Sequence, residues 1–170
     1  LLMAPQALFE NEQDAQALLD AWWTQVVYHG SLKGVGTSHT AFASDVREFM
    51  PLLSGVTTDV QTQRLTPTVT ELTSLQSAKR NAEVFSQLAK TREEEGCPDA
   101  VLATNMVSVG LDIARLALMI VNGQPLTTAE YIQASSRVGR SDVPGLVFAN
   151  YYRDQARSLS HYESFRSYHD

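Results

Sequence analysis

The stretch AVLATNMVSVGLDIARLALMIVNGQPLTTAEYIQASSRVGRS, residues 100–141, decides which fold the chain is expected to adopt. It contains two short runs, AVLAT (100–104) and ALMIVN (117–122), that are apolar almost throughout, as is typical of strands covered on both faces. A helical pattern follows through AEYIQASSRV, and Thr127 or Thr128 can cap its first turn. A buried strand, a second buried strand and a helix in this order indicate part of a parallel α/β sheet.

The rest of the chain continues this alternation. Further apolar runs, which predict strands, are QVVYH (25–29), TELTS (70–74) and GLVFAN (145–150). Helical patterns lie between most of the strands, at Gln13 to Trp23, at 38–49 and within 77–96, where Gly96 offers a stop. We therefore predict a three-layer α/β domain in which helices flank a mostly parallel central sheet.

Composition narrows the class of protein. A chain of 170 residues, 44% hydrophobic and 19% charged, suits one globular domain with a real core. The net charge of -6 argues against a domain that coats nucleic acid by charge alone, but not against one that touches a few phosphates. Cys97 is the only cysteine and no run is long enough to span a membrane, so we expect a cytoplasmic protein without a membrane partner. The histidines and Cys97 show no metal-ligand spacing, so no metal site is predicted.

The glycine-rich stretch HGSLKGVGTSH (29–39) invites a phosphate-loop interpretation that its chemistry excludes. A Walker loop needs a lysine directly after its last glycine, and Gly36 is followed by threonine. A dinucleotide fingerprint needs a third glycine where this chain has His39. We therefore expect a loop after a strand, in which Ser31 and Lys33 remain candidates for contact with a phosphate.

Polar residues that could bind a ligand or take part in catalysis lie next to the predicted strands and helix of the opening stretch. Thr104 ends the first strand, Asp112 precedes the second, and Arg137 and Arg140 end the helix. Because ligands gather at the carboxyl ends of parallel strands, we expect these four residues to converge on one edge of the sheet. The two arginines have two interpretations: cations that stabilise a helix end, or guanidinium groups aimed at a phosphate.

The order and spacing of these segments resemble the C-terminal RecA-like domain of superfamily 2 helicases and translocases. The stretch from Ala103 to Ile113 resembles motif V, whose pattern is Ala-Thr, a spacer and Gly-x-Asp. QASSRVGR (133–140) resembles motif VI, of the form Q-x-x-G-R-x-G-R, and VVYHGSLK stands where motif IV is expected. The resemblance covers about residues 25–150. Motif VI usually has a glycine where this chain has Ser136, and a side chain there can shift the first arginine.

The resemblance implies a nucleotide role for the matched residues. Arg137 and Arg140 would be arginine fingers that reach across a cleft to the γ-phosphate of ATP. Gly110 and Asp112 would line the nucleotide side of that cleft, Asp112 near the ribose or a bridging water, and Gln133 would couple the nucleotide to the cleft. ATP and Mg²⁺ would be bound mainly by a missing N-terminal RecA-like domain of the same parent chain. This chain has no Walker loop and no recognisable acidic Mg²⁺ motif, so we expect it to be inactive alone.

The resemblance also implies contact with DNA or RNA. Thr104 would hydrogen-bond a nucleic-acid phosphate, and Ser74 ends a predicted strand at a matching place and would do the same. Ser31 and Lys33 complete the set of predicted nucleic-acid contacts.

The ends of the chain carry a narrower resemblance. The first residue is leucine rather than methionine, so we expect residues 1–170 to be one domain excised from a longer chain. The stretch LSHYESFRSYH (159–169), together with the motif VI region, resembles a group of large bacterial helicases linked to phage defence, the DISARM-type helicases. The main hypothesis is thus the C-terminal motor domain of an ATP-dependent helicase or translocase. The alternative is a non-enzymatic RecA-like module that binds nucleic acid or protein; a free-standing nucleotide-binding enzyme is disfavoured by the failed phosphate-loop patterns.

Overall fold

A computed structural model of the protein describes residues 1–9, 13–53, 66–105 and 112–169. The strands within these residues are β1 (Gln25–His29), β2 (Val69–Leu72), β3 (Ala100–Ala103), β4 (Leu118–Asn122) and β5 (Leu146–Asn150). The helices are α1 (Ala4–Phe9), α2 (Gln16–Ala21), α3 (Leu32–Ala41), α4 (Arg47–Leu53), α5 (Ala78–Leu88), α6 (Thr128–Ser135) and α7 (Ala156–Glu163). A π-helical turn, Phe42–Val46, joins α3 to α4, and single turns of 3-10 helix occupy Gln13–Ala15 and Arg166–Tyr168. None of the described helices has the length and apolar character needed to cross a membrane.

The five strands form one parallel sheet in the order β2-β3-β1-β4-β5. In the central register Gln25 pairs with both Ala100 and Leu118, and His29 pairs with Asn122. Parallel pairing makes every strand enter at one edge and end at the other, so the chain has to return outside the sheet between strands. Described helices lie in the returns that follow β1, β2 and β4, and the predicted three-layer α/β fold is confirmed.

The two faces of the sheet are covered by different helices. On one face Val35 of α3 packs with Val27 and Leu102. On the other face α5 and α6 pack against the alternate strand residues, in a cluster that includes Val26, Tyr28, Val84, Leu88, Met119, Tyr131 and Ala134. Burial of each Val, Leu or Met side chain among them stabilises the fold by about 1.5–3 kcal/mol, so the alternation along β1 fixes the position of both layers.

The prediction of a loop after β1 is wrong, because helix α3 begins at Leu32. Ser31 caps the helix, and its hydroxyl oxygen accepts a hydrogen bond of 3.2 Å from the Gly34 amide. Gly34 serves packing rather than flexibility: a Cβ at this position would lie 2.8 Å from Nδ1 of His29. Gly34 therefore allows the helix to approach the strand that precedes it.

The other helix ends show how side-chain caps set the boundaries. The Thr127 hydroxyl accepts a hydrogen bond from the Glu130 amide, so Thr127, rather than Thr128, caps α6. Helix α5 ends at Leu88, short of the predicted stop at Gly96. Gly96 instead occupies a turn with φ of +86°.

Arg115 joins four separate segments at the edge where the strands begin. Its Nε donates to the Leu88 carbonyl at 2.8 Å, and Nη1 donates to the Asp20 carbonyl at 3.1 Å. Nη2 donates to the Thr24 hydroxyl at 2.7 Å and to Sγ of Cys97 at 3.1 Å. The side chain is only 12% exposed, and burial raises the pKa of the Cys97 thiol, so this cluster is structural.

We expect Arg115→Met to lower the free energy of unfolding by about 3 kcal/mol, because it removes the guanidinium donors from the buried Leu88 carbonyl, the Asp20 carbonyl and the Thr24 hydroxyl. Urea unfolding of the wild type and the variant measures the difference. Lys79→Met is the control, since Lys79 is exposed on α5 and its substitution should change stability by less than about 0.5 kcal/mol. Equal stability of the wild type and Arg115→Met would show that the guanidinium is dispensable.

Candidate functional site

The predicted site residues divide between the two ends of the sheet. Thr104 directly follows the last residue of β3, at the carboxyl edge. Arg140 lies at the opposite edge, because the neighbouring Gly139 amide donates to the carbonyl of Leu116, just ahead of β4. The expectation that Thr104, Asp112 and the arginines share one edge is therefore wrong. Helix α6 runs back along β4, and a five-residue strand separates the two ends by about 15 Å.

Arg140 is held by two contacts at the amino edge. Its Nη1 lies 2.7 Å from Oδ1 of Asp112, and its Nε donates to the Ser136 carbonyl at 2.8 Å. The Arg140 side chain is 35% exposed and that of Asp112 is 78% exposed. An ion pair this open to solvent contributes about 0–1 kcal/mol. The two contacts therefore orient the guanidinium without sequestering it.

Arg137 and Ser136 form the first turn after α6. The Arg137 amide donates to the Ala134 carbonyl at 3.1 Å, and its side chain is half-buried. Ser136 has φ of -70°, a conformation that does not need glycine, and its hydroxyl donates to the Gln133 carbonyl at 3.1 Å. The helix end thus accommodates the residue that departs from the motif VI pattern.

The glycine between the two arginines is required by close backbone packing. Gly139 has φ of +71°, and a Cβ on it would lie 2.5 Å from the amide nitrogen of Gly145. A Cβ on Gly145 would in turn lie 2.8 Å from Cα of Gly139. The two glycines let the turn that carries Arg137 and Arg140 touch the backbone just before β5.

Gln133 and Gly110 are the other two residues predicted to contact the nucleotide. Gln133 is exposed in the last turn of α6, four residues before Arg137, which lies in the turn beyond the end of the helix. Gly110 lies outside the described residues.

Three hydroxyl residues follow adjacent strands at the carboxyl edge. Ser74, Thr104 and Ser31 come after β2, β3 and β1, which are neighbours in the sheet at a spacing of about 4.8 Å. Ser74, Ser31 and the nearby Lys33 are exposed. Thr104 is 6% exposed, and its hydroxyl lies 3.4 Å from the Oδ1 of Asn105, to which it donates. Sheet topology thus brings together the predicted nucleic-acid contacts.

Two polar residues at the carboxyl edge escaped the sequence analysis. His29 is 2% exposed and Gln124 is 5% exposed, at and just beyond the ends of β1 and β4. His29 Nε2 and both amide atoms of Gln124 have no hydrogen-bond partner among the described residues. Burial lowers the pKa of His29 to about 4, so its ring is neutral at pH 7. The signal that could have found them is a polar residue at the end of an otherwise apolar strand.

The described residues favour anions over metal ions. No three His, Cys, Asp or Glu side chains in this part of the chain are placed to hold a metal ion. Mg²⁺ prefers carboxylate and other oxygen ligands, whereas paired guanidinium groups suit phosphate. The donor set at the amino edge therefore fits a phosphate group and does not fit Mg²⁺.

The chain matches a known family over more than half of its length. The "Helicase conserved C-terminal domain" family matches residues 42–142, a range that includes Asp112 and both arginines but not Ser31 or Lys33. The chain belongs to this family. It is also similar to the DISARM protein DrmA of Bacillus paralicheniformis, with 40% identity over 169 residues, 99% of this chain. The chain spans 15% of the length of that protein.

Solved structures confirm the fold of the helicase C-terminal domain. The match to the C-terminal domain of the DEAD-box protein Dbp5 covers 92% of this chain and 79% of the Dbp5 chain, with a TM-score of 0.61 and 12% identity. The match to S. cerevisiae Dbp5 bound to RNA and ADP BeF3 covers 93% of this chain and 37% of the Dbp5 chain, with a TM-score of 0.57 and 15% identity. The resemblance to the C-terminal RecA-like domain of superfamily 2 helicases, and to the DISARM-type group, is therefore confirmed.

We expect Gly139→Ala to lower the free energy of unfolding by at least about 2 kcal/mol, because it combines a left-handed backbone with overlap on Gly145. Gly36→Ala is the matched control: Gly36 lies inside α3, and a Cβ there meets nothing within 4 Å. That substitution should raise stability by about 0.5–1 kcal/mol. Urea unfolding of both variants measures the two opposite shifts, and shifts of the same sign would contradict the packing described for Gly139.

Proposed function

We propose that this helicase domain is the C-terminal motor domain of an ATP-dependent nucleic-acid helicase or translocase. It supplies arginine fingers to an ATPase site that an N-terminal RecA-like domain of the same parent chain completes. Membership of the helicase family and the much greater length of the DrmA relative support this proposal. The observation that carries it is the orientation of the Arg140 guanidinium by Asp112 and the Ser136 carbonyl.

The exposed ion pair of Arg140 suits a group that must engage a phosphate. A triphosphate carries more negative charge than one carboxylate, and the pair with Asp112 is weak enough to be replaced. Arg140 and Arg137 would then stabilise charge that develops on the phosphoryl oxygens, which a planar guanidinium meets better than an ammonium. Asp112, once released, would face the ribose or a bridging water, and Gln133 would couple the nucleotide to the cleft.

ATP with Mg²⁺ would supply the phosphoryl group and the bridging positive charge. Dbp5, which shares this fold, has been solved with RNA and ADP BeF3. The described residues of this chain offer no carboxylate cluster, so the partner domain would hold the metal ion and most of the nucleotide. Gly110 remains part of the proposed nucleotide set through its place in motif V.

The carboxyl edge would bind DNA or RNA through phosphates. Ser74 and Ser31 offer exposed hydroxyl donors after β2 and β1, and Lys33 adds one cation. Thr104, after the strand between them, would exchange its hydrogen bond to Asn105 for one to a phosphate. Such contacts position a strand but carry no direct sequence information. The chain runs from Thr104 at this edge to Asp112 at the other in one connection, which provides a covalent link between the two proposed sites.

A non-enzymatic RecA-like module remains the second candidate. In such a module the ion pair between Arg140 and Asp112 would be permanent, and both side chains would have their partners within the domain. We further propose that the parent protein is a cytoplasmic DISARM-type phage-defence helicase, on the strength of the identity to DrmA.

In the longer protein, we expect Arg140→Ala to lower kcat for ATP hydrolysis by about 10³-fold or more, with little change in KM. The charge that the guanidinium stabilises develops on the way to the transition state, so its loss acts on rate. Arg140→Lys should restore little, because an ammonium lacks the planar fork. Steady-state kinetics and thermal melting of both variants measure these effects.

Two controls accompany this experiment. The 170-residue chain alone should show no ATP turnover, since it lacks the phosphate loop. Arg80→Ala, on the exposed face of α5, should leave turnover unchanged. Normal turnover in Arg140→Ala would favour the non-enzymatic module.

We expect binding of the chain to single-stranded nucleic acid to be weak and sensitive to salt. Only cationic side chains release counterions, so each cation that neutralises a phosphate of a single strand contributes a slope of about -0.7 in a plot of log K against log salt concentration. Lys33→Gln should reduce the steepness of this slope by about 0.7, because it removes one phosphate contact. Fluorescence anisotropy with a short labelled oligonucleotide measures the slope. Tight, sequence-specific binding at physiological salt would contradict the proposed phosphate contacts.

A further inference from the structure

A cleft of about 350 Å³ opens at the carboxyl edge of β1, β4 and β5. Ser31 and Lys33, at the start of α3, line one side of it. Tyr152 and Arg157, from the connection that leads from β5 into α7, line the other. Gln124 follows β4, the strand between these two sides. The cleft therefore continues the row of strand ends that carries the hydroxyl residues, and its size suits one small organic group.

Gln124 has hydrogen-bonding capacity that the described residues do not use. Its side chain is 5% exposed, yet neither the amide oxygen nor the amide nitrogen has a partner among them. Nε2 of the neighbouring His29, which lines the same cleft, also has no hydrogen-bond partner among the described residues. A buried polar group without a partner costs about 1–3 kcal/mol, so folded proteins keep few of them. A ligand that offers both a donor and an acceptor would satisfy the amide.

Tyr152 presents a fixed aromatic ring at the same place. Its hydroxyl donates to Oδ1 of Asn122 at 2.9 Å, and Asn150 donates to the same oxygen at 2.8 Å. The ring lies against Gly123, where a Cβ would come within 2.7 Å of Cε2. Because 36% of Tyr152 is exposed, part of the ring remains available for stacking.

The charges of the cleft favour a phosphate. Lys33 and Arg157 are both exposed, and no Asp or Glu is among the residues that line the cleft, although the whole chain has a net charge of -6. The first turn of α3, a helix of 10 residues, adds the positive end of its dipole. Cations, an aromatic ring and an unsatisfied amide together match a phosphate, a base and the polar edge of that base.

We propose that this cleft binds one nucleotide of a single-stranded nucleic acid. Lys33 and Arg157 hold its phosphate, Tyr152 stacks on its base, and the Gln124 amide hydrogen-bonds the edge of the base. The inference rests on the proposed nucleic-acid function and extends it, because the row of hydroxyls beside β2, β3 and β1 meets only the backbone. Tyr152 and Arg157 lie beyond the residues that the helicase family matches.

The test compares two short single-stranded oligonucleotides of equal length, one with bases throughout and one abasic at its central positions. Anisotropy at low salt should show that the wild-type chain binds the base-bearing strand about fivefold or more tightly, as expected for one stacked base. Gln124→Leu should reduce that ratio while its melting temperature stays equal or rises, because an unsatisfied amide is removed. Arg157→Gln should weaken binding of both strands. Lys90→Gln removes the same charge beyond the end of α5, at the opposite edge, and should weaken neither.

Three other outcomes would overturn the inference that the cleft binds one nucleotide of a strand. Equal affinity of the wild type for the two strands would mean that the cleft meets only phosphates. A lower melting temperature of Gln124→Leu with an unchanged affinity ratio would make the amide structural. Equal competition by a free nucleoside monophosphate and by the strand, at the same nucleotide concentration, would assign the cleft to a free nucleotide. These three results leave the proposed nucleic-acid function standing, whereas absence of binding to either strand would overturn both.

Discussion

Parallel pairing of the strands is the constraint on which the rest of the molecule depends. Because β1 to β5 all run the same way, each connection has to cross from one edge of the sheet to the other. The residues that directly follow strands, such as Ser74 and Gln124, therefore collect at one edge. The residues that follow a returning helix, such as Arg137 and Arg140, collect at the opposite edge. The separation of a hydroxyl row from an arginine pair follows from strand direction alone.

The apolar patterns of the sequence were sufficient to predict the layers but not the direction in which site residues face. Continuous runs such as residues 118–122 identify strands because burial on both faces removes the need for alternation. Thr127 was among the predicted caps because a hydroxyl before an apolar period is a local signal. The one-edge arrangement of Thr104 with Arg140 failed because edge position depends on how many times the chain has crossed the sheet. Gly34 misled in another way, since glycine marks loops but here makes room for His29.

Contacts between distant segments could not be predicted from sequence. Asp112 and Arg140 are 28 residues apart, and the acceptors of Arg115 lie between 18 and 95 residues from it. Local patterns carry no information about such pairs. Arg115 and Gln124 show the two fates of a buried polar side chain: the first has acceptors for its donors within the fold, and the second has none among the described residues. Stability explains the first arrangement, and only a ligand or ordered solvent would explain the second.

The contact between Gly139 and Gly145 has a consequence for the entropy of anion binding. Fixing the backbone of one residue costs about 1–2 kcal/mol, and a flexible loop incurs that cost when its ligand arrives. Here backbone lies against backbone, so the turn between Arg137 and Arg140 has already lost its freedom when the domain folds. Any affinity of these guanidinium groups for an anion is then set chiefly by charge and side-chain rotamers. The turn is preorganised, so the entropy cost of ordering it is incurred when the domain folds and not when an anion binds.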